Sequence, residues 1–439
     1  MPADRQAHPL SGANPAAASH YDTAIAQFGI YRGDPLAELD QALAAAPSCV
    51  MALVAKGWLM GLATEPAATE EARKLLASAR ALPADEREAS HRGALALLLE
   101  GRWDDAALAL DHLSMRWPLD ILALQVGHLI DFYRANARAL RDRIARALAH
   151  WSPGVPGYSL VLGMQAFGLE EMGDYARAEA MGREAIAREP LDCWAHHAVA
   201  HVMEMQGRAE DGIGWMVARE PYWSGEDNFF KVHNHWHRAL YHLDLGQQRE
   251  ALALYDGAVR KTPSAVALDL VDASAMLWRM NLLGMDVGQR WAEVAQTWDA
   301  HADGRSYPFN DWHAVMAYLG AGREADVQRV EQAMLQAAAQ PTPLAEWVRH
   351  SGLPLLRGFV AFWRQDYRSA VEHLHPARFI ANRFGGSHAQ RDVIDWTLTE
   401  AALRGGLKDA ASALAHERVA LKPHSALARG FVQRAQQLG

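Results

Sequence analysis

Residues 173–180 read GDYARAEA, and this stretch decides the fold. Gly173 and Asp174 break one helix and open another, while Ala178 leaves room for two antiparallel helices to approach closely. Comparable turns begin at Gly33, Gly101, Gly207, Gly246, Gly284, Gly322, Gln365 and Gly406. From Gly173 through Gly207, Gly246, Gly284 and Gly322 the intervals are 34, 39, 38 and 38 residues. Prolines fall where the second helix of a unit should end, at Pro47, Pro118, Pro190, Pro263 and Pro423. Alanines recur just after the turns, at Ala106, Ala251 and Ala370.

These intervals bracket the 34-residue tetratricopeptide (TPR) period, with a few residues added in loops. Weaker units fit around residues 52–84 and 119–150. Strand patterning is nearly absent. The expectation is an all-α, TPR-like α-solenoid, a superhelix of about eleven helical hairpins. It would span 1–439 as a single domain, with residues 1–20 as a poorly ordered N-terminal extension. One hairpin cannot bury its apolar face alone, so each leans on its neighbours. Most of the 15 tryptophans then read as core.

Composition narrows the function. Half of the 439 residues are hydrophobic, so a sizeable core is within reach. No apolar run is long enough to span a membrane. The opening MPADRQAHPLSGANPAAASHYD lacks the basic-then-apolar order of a secretory signal, and cytoplasmic location is the simplest expectation. Cys49 and Cys193 alone cannot form a disulfide framework or a Cys-rich zinc site. A formal charge of -9 argues against a general nucleic-acid binder.

The 21 histidines are concentrated informatively. HHAVAHVMEMQG, residues 196–207, places His197, His201 and Glu204 within one helical stripe, on the first helix of its hairpin. His233 and His237 form a second i, i+4 pair, 36 residues on. NHWHRALYHLDLG (234–246) and NDWHAVMAYLGAG (310–322) share Asn, Trp, His and Gly in register, bringing in Asn234, Trp236, Asn310 and His313. The i, i+4 pair is the ligand spacing of HExxH zinc helices, but Ala198 stands where their catalytic glutamate would be, so that mechanism is not supported. Lone histidines at His8, His91, His112, His150, His301, His350 and His416 read as surface or satisfied core groups.

In GGSHAQRDV (385–393), Ser387 and Gln390 form a capping box, leaving Arg391 and Asp392 to clamp an anion or to pair internally. Asp272 in LVDASAM and Arg290 in GQRW sit in apolar helix and should be at least partly buried and paired.

HHAVAHVMEMQG, HNHWHRALYHLDLGQQREALALYD, DVGQRW, FNDWH, GGSHAQRDV and ERVALKPHS together resemble the tetratricopeptide repeat protein 38 family over about residues 190–425. The first third matches by repeat phase only. The resemblance implies a TPR-like solenoid. It also implies family positions at His197, His201, Glu204, His233, Asn234, Trp236, His237, Asn310, Asp311, His313, Gln390, Arg391 and Asp392. It carries no settled activity. His235 and His388 depart from the family pattern and weigh less as ligands.

The expected function is a small-molecule-binding protein, leaning to an enzyme, with a His/Glu/Asn-lined site on the concave surface. His197, His201, Glu204, His237 and His313 would be catalytic, and a divalent metal (zinc, iron or manganese) would sit on His197, His201, Glu204 and His237. His233, Asn234, Trp236, Asn310, Asp311, Gln390, Arg391 and Asp392 would bind substrate, and hydrolysis or elimination are the natural reactions. The partner would be a small polar molecule, with no membrane and no nucleic acid; self-association is open. The alternative is a non-catalytic scaffold holding a peptide in its groove.

Overall fold

The computed structural model describes residues 2–381 and 385–438. Helices follow one another in antiparallel pairs, and no strand forms among the described residues beyond two isolated bridges. The pairs run from Pro15–Ile30 with Pro35–Ala45 through to His388–Arg404 with Lys408–Leu421, eleven hairpins in all among the described residues, before a last helix Ala426–Gln436. No helix among them is long and apolar enough to cross a membrane.

The hairpin turns explain the repeat. At Gly173 the chain enters the left-handed region, φ 78°, so that Gly173 N–H reaches Glu170 O and Asp174 N–H reaches Leu169 O. This ties off the helix's last carbonyls, which would otherwise lack partners. All the turn positions read from the sequence have positive φ, including the non-glycine Gln365 at φ 62°. In the two weaker units Thr64 and Ala135 occupy that position, φ 58° and 51°. Ala106, Ala178, Ala251 and Ala370 are all fully buried, as close helix approach requires. Eleven of the 15 tryptophans are buried, so the aromatic excess is core.

The chain divides into two compact units, Met1–Val199 with Pro221–Phe230, and Ala200–Glu220 with Lys231–Gly439. Each is built of TPR-like hairpins of the α-solenoid class. In the first unit, the residues ahead of the first helix, expected as a loose extension, are tied down: Leu10 is fully buried and Ser11 N–H donates to Glu88 Oε1 at 2.8 Å. His91, for which the sequence leaves surface or satisfied core open, is a core group: it is fully buried and its Nε2 meets Asp120 at 3.0 Å.

Six helices carry the residues of interest and are numbered in chain order: α1 (Cys193–Met205), α2 (Lys231–Asp244), α3 (Ala267–Leu282), α4 (Pro308–Gly320), α5 (His388–Arg404) and α6 (Lys408–Leu421). The division between units passes through α1; α2 to α6 belong to the second. There α3 packs against α2, α4 and α5, so three helices surround it.

Candidate metal centre

In the second unit, His201 of α1 and His233 and His237 of α2 each offer a ring nitrogen within 4.8 Å of the others. Four residues apart on α2, His233 and His237 point the same way, and their Nε2 atoms lie 3.2 Å apart. The His201 and His237 rings meet edge to face at 4.6 Å. Asp272 of α3, buried, orients the group: its Oδ2 lies 2.7 Å from His233 Nδ1. A carboxylate accepts only, so Nδ1 carries the proton of that bond and Nε2 is the nitrogen left facing the cluster. Trp236, fully buried, stacks on His233 at 5.2 Å and 13° and meets His237 edge-on. It locks both rings.

Two zinc–nitrogen bonds of about 2.05 Å at a tetrahedral angle put the nitrogens ~3.3 Å apart. The His233–His237 separation of 3.2 Å fits that geometry. A histidine whose other nitrogen is held by a carboxylate is also the usual outer-sphere support of a metal ligand. The donor set therefore suits zinc, and iron or manganese with open positions.

The expected residues divide as follows. His201 and His237 are in the cluster, and His233, expected to bind substrate, joins them there. Glu204, expected as a ligand, instead accepts from buried Lys422 Nζ at 2.9 Å; it is on the same stripe as His201, but a cation 218 residues away claims it. His197 lies one turn before His201, in the first unit, stacked on Phe167 at 5.6 Å and against Trp194 and Phe230. Asn234 is fully buried, and neither of its amide atoms finds a hydrogen-bond partner among the described residues. Asn310 is buried in the first turn of α4. Asp311 Oδ1 accepts from Gly304 N–H at 2.8 Å, holding that loop, and burial pushes its carboxyl well above the usual range. His313 Nδ1 donates to Phe309 O at 2.8 Å, and burial lowers the ring to about 3.

Gln390 forms the capping box with Ser387. Arg391, expected to hold an anion, donates to the carbonyls of Gly385 and Gly386, bracing that turn. Asp392 pairs with Arg418 of α6 at 3.1 Å, and the neighbouring cations hold its carboxyl well below the usual range, Arg418 first among them against the opposing cost of burial. Arg290 pairs with Asp256, as expected of a paired group.

Three participants went unassigned in the sequence. Asp272 was visible as a buried acid but not as the support of His233. Lys422 lies in ERVALKPHS, which carried part of the resemblance but gave it no role. Arg279, in MLWRMN of α3, is one helical face-repeat beyond Asp272 and lies over the Trp236 ring at 5.3 Å. An arginine inside so apolar a run was its only mark.

No protein-family profile matches the chain. Among solved structures it is similar to the APC/C hetero-tetramer Cut9–Hcn1, at 15% identity and TM-score 0.44, covering 95% of this chain and 76% of that one. It is similar also to the human IFIT1 dimer with m7Gppp-AAAA, at 14% identity and TM-score 0.41, covering 85% and 86%. A monomeric IFIT1 mutant with Gppp-AAAA gives 14% and 0.41, covering 95% and 100%.

Proposed function

We propose that the second unit is a metal-dependent enzyme of the tetratricopeptide repeat protein 38 family, holding a divalent ion on His201, His233 and His237 and acting on a small polar molecule by hydrolysis or elimination. One observation carries the reading: three imidazoles converge, and Asp272 holds Nδ1 of one of them so that its Nε2 faces inward. A purely structural His–His contact needs no such buried carboxylate, whose desolvation is costly. Three nitrogen ligands leave coordination positions open, the mark of a catalytic rather than a structural site. A bound ion would polarise a substrate carbonyl and supply a nucleophile at neutral pH. Trp236 holds the His233 and His237 rings in place, and Asn234 offers a donor and an acceptor to orient substrate or an outer-sphere group.

The test is a screen of zinc-, iron- and manganese-loaded protein against small esters, amides and hydroxy acids, beside His237→Ala. Turnover that needs metal and falls at least a thousandfold in the variant is the expected result. Turnover unchanged in the variant overturns the reading. Metal-loaded protein that turns over nothing and instead captures peptides would favour the scaffold.

A further inference from the structure

Arg279 is 1% exposed, yet no carboxylate among the described residues lies within ion-pair distance of it. Its guanidinium donates only to main-chain carbonyls: Nη1 to Ala275 at 3.2 Å, and Nη2 to Ala389 at 2.9 Å and Gln390 at 3.4 Å. Carbonyls satisfy the N–H groups without neutralising the charge. The acids whose fields reach it each have a closer partner: Asp392 has Arg418, Glu204 has Lys422 and Asp272 has His233. Burial lowers this guanidinium to about 10, so it stays charged at neutral pH. A buried cation with no carboxylate in contact carries a desolvation cost that a bound anion would offset.

The groups around it are incomplete too. Trp236 Nε1–H, fully buried beneath the guanidinium, has no acceptor among the described residues. His313 donates through Nδ1 to Phe309, so its buried Nε2 is a lone pair, and it has no donor among the described residues. His313 lies close enough to Arg279 to feel its charge. A cation with no carboxylate in contact on α3, one unmatched donor on α2 and one unmatched acceptor on α4 thus lie along the same helix packing. A trapped water could satisfy an N–H or a lone pair but would bring no counter-charge into contact with Arg279.

We propose that Arg279 and Trp236 Nε1 form a subsite for the anionic group, carboxylate or phosphate, of a small substrate, with His313 Nε2 accepting from an N–H or O–H beside it. The inference rests on the metal-centre reading for what happens next. Trp236 stacks on His233 and lies under Arg279, so a molecule anchored at Arg279 is one indole away from the histidines. The anion that Arg391 was expected to hold goes to Arg279, because Arg391 is spent on the Gly385–Gly386 turn. Substrates lacking an anionic group would lose the anchor and be selected against.

The test uses the full chain after chelator treatment, titrated calorimetrically with inorganic phosphate and, separately, acetate at constant ionic strength. Saturable binding of at least one is expected, weakened tenfold or more by Arg279→Gln. Trp236→Phe, which removes one N–H and keeps the packing, should weaken it about threefold or more and stands in if the arginine variant does not fold. Phosphate alone would assign phosphate esters; acetate alone would assign carboxylates. Saturation by neither anion, or variants that bind like the parent chain, would overturn the subsite. Since no metal is present, this failure would leave the histidine centre standing, and a chain that takes up no metal still answers the question.

Discussion

His128 and His313 are both held neutral by burial, each lowered to about 3. Nearby cations add to the effect, Arg143 for His128 and Arg279 for His313. Each also has a fixed tautomer: Trp194 Nε1–H donates to His128 Nε2 at 3.0 Å, and His313 Nδ1–H donates to Phe309 O. In the unfolded chain both would titrate near 6.5. The folded value is the lower one, so the unfolded state binds more protons between the two values, and stability must fall as pH drops from about 6.5 toward 3. Above 6.5 the contribution is complete. In urea midpoints, the share of stability that His128 and His313 contribute should therefore be flat from pH 8 to 7 and decline below 6.5. It runs against the opposite trend from Asp192 and Asp269, which burial raises to about 7 and about 6. His313→Asn, which keeps the donor to Phe309, should flatten that decline by up to about 1.4 kcal/mol per pH unit. An identical slope in parent and variant would show that His313 is not the neutral buried group described.

At the scale of the element, the turn is what the sequence made legible and what limited the reading. A residue in the left-handed region lets its own N–H and the next one return to the helix, and glycine takes that conformation without cost from a Cβ. Units closed by Gly173, Gly207, Gly246, Gly284 and Gly322 could thus be read directly. Thr64 and Ala135 close their hairpins with the same backbone but no glycine, so those units stood out only by phase. The same fact gives a prediction at Gln365, an exposed residue held at φ 62°. Gln365→Gly should raise stability by ~1 kcal/mol, the usual penalty for a side chain in this region. A thermal midpoint unchanged or lowered would mean that the Gln365 side chain contributes more there than its strain removes.

Across the whole molecule, helix class and hairpin count were written in local periodicity, because each TPR-like unit is specified by residues within about 40 positions of one another. The site was only half legible. His201, His233 and His237 betray themselves by i, i+4 spacing, a local signal. Glu204 looked like their companion for the same reason, whereas its partner, Lys422, comes 218 residues later. Asp272 and Arg279 were hidden differently: both sit in a helix whose apolar surroundings resemble ordinary core, and only the packing of α2 on α3 shows what they face. Local spacing predicts which side chains share a face, and says nothing of what long-range packing sets opposite them.

The most direct test of the account is elemental analysis of the chain purified without affinity tag or chelator, together with His233→Ala/His237→Ala and Asp272→Ala. The account predicts close to one zinc, iron or manganese per chain, lost in the double variant. In Asp272→Ala, where the ligands remain but their support is gone, affinity should fall about 10–100-fold. A chain that carries no metal and rebinds none when titrated with all three ions would contradict it, leaving His201, His233 and His237 as a packed histidine cluster and no metal centre.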